Sequence, residues 1–320
     1  METLIWLKRI RIENANCIHG MTWGFPAMTN FLGFTHALSR QLEQDFDFKL
    51  DACAVIAHEA QPLAHSPKDF EYIFSQTRNP LTREGKTAPI NQEGRMHMTI
   101  SLLLSSEQLT SQLELSDSVQ DDEKHLKQTV ISFLHRARIA GGSVPALDDK
   151  QVEILSLGAG EEREALERRV RLTMLPGFAL VDRSELLPER LESLRAEDST
   201  ADLLDAWLRF SELRYLYHED EKKDEKGQWK QVPKQGYLVP ICRGFKAISP
   251  LYEGEEVAGS RDPETPFRLV ESAYGIGQWL SPHRCQSLEQ LLWRYKYQDE
   301  WYLAENNYQP EMDNTKPTHV

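Results

Sequence analysis

Met96-His-Met-Thr-Ile-Ser-Leu-Leu-Leu104 is the stretch that decides the fold. Met96, Met98, Ile100, Leu102 and Leu104 alternate with His97, Thr99 and Ser101, the spacing that puts apolar side chains on one face of a β-strand. Upstream, Leu50 to His58 (LDACAVIAH) is a short apolar run of small and β-branched residues, which predicts a buried strand rather than a helix. The two strands are separated by Pro67 to Arg95, rich in Gly, Pro, Asn and basic residues and far longer than a hairpin turn requires. Further upstream, Ile5 to Ile12 predicts a central strand, because its start is apolar on both faces. Phe31, Phe34, Leu38 and Leu42 recur at helical spacing after a Gly/Pro loop, with Thr29 or Asn30 as the expected cap.

Downstream, an acidic linker leads to a helix expected from about Asp121 to Ala140, carrying Leu126, Val130, Phe133 and Leu134 and ending at Gly141-Gly142. The order strand, helix, strand, long hairpin, strand, helix predicts an α+β fold of ferredoxin-like (RRM-like) type, a β-α-β-β-α-β unit. In such a unit two helices cover one face of an antiparallel sheet and leave the other free. Glu161 to Thr173 predicts a further helix, and Phe178 to Val181 a strand. Ser184 to about Tyr217 predicts a helical insertion broken near Asp198, followed by a mobile charged loop, HEDEKKDEKGQ. Tyr237 to Ile248 predicts a strand pair or bulged strand bent at Pro240 and Gly244. A Gly275-Ile-Gly277 turn, a helix from about Gln286 to Tyr297 and a polar tail complete the chain. The expected divisions are a core over 1–183 with the hairpin at about 67–95, the insertion and charged loop over 184–222, the rest of the core over 223–305, and a flexible tail over 306–320.

The 320 residues include 40% hydrophobic and 27% charged types, the balance of a globular chain. No apolar run reaches a membrane span, and a cytosolic location is expected. Cys17, Cys53, Cys242 and Cys285 lack the spacing of a zinc site or redox pair, so four free thiols are expected, with no metal and no cofactor. The net charge of −13 argues against unspecific coating of duplex DNA. Charge is nevertheless segregated. Acids dominate Glu107 to Glu123 and Asp182 to Asp205, whereas Lys226 to Tyr252 holds Lys226, Lys230, Lys234, Arg243 and Lys246 with no acid. Such strips fit either a solvated face or a docking polyanion.

No nucleophile elbow, zinc-binding HExxH or Walker loop occurs, no arrangement of the ten histidines is specific, and an enzyme reading would take a histidine such as His97 or His283 as general base. Gly275-Ile-Gly277 before Trp279, His283 and Arg284 reads either as a phosphate-cradling loop or as a tight turn beside a core tryptophan. Trp23 and Phe25, between Gly and Pro residues, either stack on bases or plug the sheet. Arg78, Arg83, Lys86 and Arg95 sit in the long hairpin, where they serve no core and can lie along a nucleic-acid backbone.

Ten blocks, in order along nearly the whole chain, resemble one family. They are Ile12-Glu-Asn-Ala-Asn16, Thr22-Trp-Gly-Phe-Pro26, Gly33-Phe-Thr-His-Ala-Leu38, Thr77-Arg-Asn-Pro-Leu81, Glu93-Gly-Arg95, Ala140-Gly-Gly-Ser143, Leu175-Pro-Gly-Phe-Ala-Leu-Val181, Ser249-Pro-Leu-Tyr252, Arg261-Asp-Pro-Glu-Thr-Pro266 and Gly275-Ile-Gly-Gln-Trp-Leu-Ser-Pro-His-Arg284. The chain is similar to the RAMP-superfamily subunit of type I-F CRISPR surveillance (Csy) complexes that holds the five-prime handle of the guide RNA. The resemblance departs at Cys242 and Phe245, where the family more often has Pro and Tyr.

The resemblance implies an RRM-like core with a protruding thumb hairpin and a helical insertion. It also implies a non-catalytic subunit that binds the crRNA handle, pairs with the large Csy subunit and abuts the first repeated backbone subunit, with target DNA nearby. On that basis Arg9, Arg11, Trp23, Arg78, Asn79, Arg83, Lys86, Arg95, Arg243, Gly275, Gly277, Trp279, His283 and Arg284 are the expected RNA contacts. A crRNA-processing endoribonuclease and a protein scaffold without RNA contact are the competing readings.

Overall fold

A computed structural model describes residues 2–46, 49–68, 71–106, 119–218, 227–234, 236–260 and 262–310. The acidic linker 107–118, most of the charged loop (219–226), Arg261 and the tail beyond 310 lie outside the described residues. The first half is built from strands β1 (Glu2–Asn16), β2 (Ala52–Pro62), β3 (Arg95–Ser106) and β4 (Val152–Leu157), with helices α1 (Met28–Phe46) and α2 (Val119–Arg136). These alternate as β1-α1-β2-β3-α2-β4 and pair antiparallel in the spatial order β4-β1-β3-β2. The period-two stretch lies in β3, where Ile100 pairs with Ile10 on one side and Ala57 on the other.

One face of this sheet carries Ile5, Leu7, Ile10, Ile100 and Leu102, which pack with Phe31, Leu38, Leu126 and Leu134 of the two helices. The opposite face is not free, which corrects the expectation for a two-layer unit. Leu4, Trp6, Leu103 and Leu155 pack there against Val170 and Met174 at the end of α3 (Gly160–Thr173) and against Leu291 and Leu292. The cause is local: Leu4 to Leu7 and Leu102 to Leu104 are apolar at every position, so both faces demand cover.

The second half adds β5 (Phe178–Asp182), α4 (Leu186–Glu197), α5 (Leu203–Ser211), β6 (Tyr237–Ala247), β7 (Val270–Leu280), β8 (Trp293–Gln298) and β9 (Trp301–Asn306). The edge of β2 away from β3 is shared. Ile56 and Ala57 pair with β5, while Ala52 and Cys53 pair with β8. The path β2-β5-β7-β6-β9-β8 therefore returns on itself. Trp293 is fully buried at the junction and donates from Nε1 to the Leu180 carbonyl at 2.8 Å. The molecule is thus a mixed α+β fold with one large antiparallel sheet and five α-helices among the described residues.

Several local expectations are corrected. Gly275-Ile-Gly277 is no turn: it lies inside β7, paired with β6 along its length and with β5 at Gly277. A Cβ on Gly275 would stand 2.3 Å from Ser184 Oγ, and one on Gly277 2.9 Å from Leu180 Cδ1, so the glycines allow close packing rather than phosphate approach. No helix spans 286–297. A 3-10 turn, Glu289–Leu291, leads into the β8–β9 hairpin, since Trp293, Tyr295 and Tyr297 alternate with Arg294 and Lys296 and Asp299 supplies a positive φ of 54° at the turn. Gly141-Gly142 belongs to the ribbon Arg138–Ile139/Gly142–Ser143 instead of ending α2, and Thr29 and Asn30 lie inside α1 rather than capping it. The Tyr237 to Ile248 segment is a single bulged strand, irregular between Cys242 and Gly244.

All four cysteines are buried and unpaired, and burial pushes the Cys53 and Cys285 thiols up to about 12. Among the described residues no helix is long and apolar enough to cross a membrane.

Candidate nucleic-acid interface

The hairpin between β2 and β3 continues into two short ribbons, Ala64–Lys68 with Glu71–Phe74 and Gln76–Arg78 with Ile90–Gln92. This thumb ends in a tight tip, where Thr82 N donates to the Lys86 carbonyl at 2.9 Å and Gly85 N to the Thr82 carbonyl at 2.9 Å. Arg78 braces the outer ribbon through a bond to the Ala88 carbonyl at 3.0 Å. Asn79, Arg83 and Lys86 are exposed, and neither Arg83 nor Lys86 forms an ion pair among the described residues. Arg95, at the base, is held by Glu93 at 3.0 Å and by the Asn14 carbonyl at 3.4 Å.

The loop 17–26 locks the thumb base to the sheet. Trp23, 47% exposed, sits 5.7 Å from the Tyr72 ring and edge-on to Phe74 at 5.5 Å. Gly20 has a φ of 66° and lies so close to Tyr274 of β7 that a Cβ there would be 2.1 Å from the hydroxyl, which accepts from Met21 N at 3.0 Å. Phe25 stacks on Phe31 of α1 and receives the edge of Trp279 at 5.0 Å. Trp279 is therefore half-buried in packing and is not the projecting stacking platform expected of it. Tyr72 and Phe74, against Trp23, and Tyr274, against the loop backbone, are residues outside the expected set. The sequence signal for the first two is the alternation in Glu71-Tyr-Ile-Phe74, inside a segment otherwise read as irregular.

The remaining expected contacts scatter. His283 and Arg284 are exposed, in the turn Pro282–Arg284 that follows β7 and packs by α3, where Arg171 donates to the Cys285 carbonyl. His283 Nδ1 lies 2.9 Å from Ser281 Oγ. Arg11 pairs with Glu13 at 3.3 Å. Arg243 is turned inward: it meets Asp182 at 2.8 Å and Glu305 at 3.8 Å, which makes it a structural cation and not a surface one.

Arg9 stands at a bulge in β1 with a φ of 45°, and its guanidinium donates to the Leu175 carbonyl at 2.9 Å. Its own N–H donates to Ser101 Oγ at 2.9 Å, and that hydroxyl lies 2.7 Å from Nε2 of His58, whose Nδ1 is 2.7 Å from the Pro176 carbonyl. A Ser–His pair so aligned invites a catalytic reading. Ser101 is 1% exposed, however, so no substrate reaches it and the network braces three strands.

Burial holds His58 below the ordinary imidazole value of 6.5; the Pro176 carbonyl works the other way, and Arg9 reinforces the lowering. His19 is likewise lowered by burial. The folded chain thus protonates these rings at lower pH than the unfolded chain does. Their contribution is complete above about pH 6.5 and is lost as the pH falls below it toward the folded values. Urea denaturation at about pH 7.5 and about pH 5.5 is expected to show this loss, at most about 1.4 kcal/mol per pH unit for each ring, and His58→Gln is expected to flatten it. An unchanged pH slope in His58→Gln would contradict the assignment.

The family model described as CRISPR-associated protein (Cas_Csy2) matches residues 5–304. CRISPR-associated protein Csy2 of Pseudomonas aeruginosa (strain UCBPP-PA14) is 39% identical over 309 residues, covering 91% of each chain. Thumb, insertion and glycine-bearing strand all fall within these matches, and the chain belongs to the Csy2 family, CRISPR-associated proteins of the type I-F system.

Proposed function

We propose that this chain is a non-catalytic subunit of a type I-F surveillance complex, gripping the five-prime handle of a crRNA with its thumb and pairing with the large subunit. The observation that carries the reading is the thumb itself. It is a two-ribbon extension of the β2–β3 hairpin, with exposed Arg83 and Lys86 at the tip and a half-exposed Trp23–Tyr72 pair at the base. Cations there suit phosphates, and the aromatic faces suit unstacked bases. The strand order β4-β1-β3-β2 supports an RRM-like, RAMP-type core. The exposed Leu203, Leu204 and Leu208 on α5 give subunit pairing an apolar surface of the expected type. Abutment on the first backbone subunit and proximity to target DNA follow from the same reading.

A salt titration of handle-RNA binding tests it. Arg83→Ala/Lys86→Ala is expected to make the slope of log K against log salt shallower by about 0.7 per charge, so about 1.4 in all, with little dependence on handle sequence. Trp23→Ala is expected to cost about 1–3 kcal/mol for each base it stacks. The repeat transcript is expected to remain uncut. A double variant with wild-type affinity and slope would remove the thumb from the RNA interface.

A further inference from the structure

An open groove of about 640 Å³ lies where the C-terminal end of α2, the first turns of α1 and the Arg138–Ser143 ribbon meet. Its lining includes Arg136, Arg138, Asn30 and Gln41 beside Phe34 and Phe133, and among the described residues no acidic residue lines it. In a chain of net charge −13 an acid-free groove with two guanidiniums is a marked local reversal. Both cations are anchored by backbone. Arg136 Nε donates to the Ser132 carbonyl at 3.3 Å and Arg138 to the Gly141 carbonyl at 3.2 Å, while neither forms an ion pair among the described residues. Each guanidinium has five N–H donors, so most of each fork stays available, already oriented by its anchor. Gln41 donates to Asp45 at 3.1 Å, one turn further along α1 and outside the lining.

Small residues, Gly33, Ala37 and Ala140, share the lining with the Phe34 and Phe133 rings, and a Cβ added to Gly33 would meet nothing within 4 Å. The groove also opens toward the thumb base, for a Cβ at Gly141 would lie 3.8 Å from a guanidinium nitrogen of Arg95. Forked donors beside small residues suit tetrahedral oxyanions joined by a slim backbone. The volume falls in the range of about 300–1,000 Å³ typical of sites for small ligands, too little for a duplex.

We propose that this groove is a second phosphodiester-binding site, in which Arg136 and Arg138 hold a short single-stranded segment of nucleic acid that reaches it past the thumb base. The ligand chemistry is shared by a guide RNA and an unpaired DNA strand. The site stands apart from the thumb reading, since its residues are different ones.

The test uses the purified full-length chain and labelled single-stranded RNA and DNA of one sequence. Arg136→Gln/Arg138→Gln is expected to make the salt slope shallower by about 1.4, adding to the effect of Arg83→Ala/Lys86→Ala. A loss with RNA alone identifies the guide as ligand, and a loss with DNA identifies the unpaired strand. Arg136→Lys/Arg138→Lys is expected to keep the slope and weaken binding, because ammonium groups lack the fork. Gly33→Leu, which fills the groove without changing charge, is expected to weaken binding even should the arginine variant fold poorly. Wild-type slope and affinity in both the glutamine and the Gly33→Leu variants would overturn the proposal. So would polyglutamate displacing the oligonucleotides with the same dependence on Arg136 and Arg138, the result an acidic protein partner would give.

Discussion

Trp293→Ala is expected to lower the unfolding free energy by about 3–5 kcal/mol, read by urea denaturation at neutral pH. Trp293 is fully buried and begins β8 where that strand meets Cys53 of β2 and Asn306 of β9, the junction at which the second half of the sheet returns to the first. Truncation removes the largest fully buried side chain among the described residues and opens a cavity that strands on several sides prevent from collapsing. It also strips the Leu180 carbonyl of its 2.8 Å donor. Trp293→Phe separates the two effects, because it keeps most of the volume and loses the N–H, and a cost of about 1–3 kcal/mol is expected. An alanine variant within about 1 kcal/mol of wild type would show that the ring of strands does not depend on this residue.

Arg243→Met is expected to cost about 3–5 kcal/mol, an effect on stability rather than on RNA binding. Its guanidinium meets the buried Asp182 carboxylate, which also accepts from Ser184 N at 3.0 Å and Ser184 Oγ at 2.6 Å. Burial raises the Asp182 carboxyl above its ordinary range, and Arg243 and Ser184 work against that rise. Without Arg243 the carboxyl rises further, so the variant's deficit is expected to shrink as the pH falls through that raised value and the group becomes neutral. Arg243→Met/Asp182→Leu is expected to recover most of the loss, since no buried charge is then left alone. A single variant that keeps wild-type stability yet loses salt-dependent RNA affinity would instead return Arg243 to the interface.

The alternation in Met96 to Leu104, the apolar runs at Ile5 to Ile12 and Leu50 to His58, and the helical spacing of Phe31, Phe34, Leu38 and Leu42 were sufficient to place the first three strands and the helix between the first two. Side-chain periodicity is a property of the backbone repeat itself, so it survives without knowledge of neighbours. The exposed thumb cations Arg83 and Lys86 were legible for a related reason: a Gly/Pro-rich segment with few apolar residues offers a charge nothing to be buried against. Tertiary structure alone decided the rest. Gly275 and Gly277 carry the composition of a turn, yet β6 and β5 pair with that segment and need its missing side chains, so it is a strand. Arg243 carries the composition of a surface cation, yet its partners Asp182 and Glu305 are each about 60 residues away in sequence. Trp279 could not be sorted between base stacking and core until Phe25 was seen against its edge. In each case the deciding energy comes from a contact between distant segments, and no local spacing records which segments will meet.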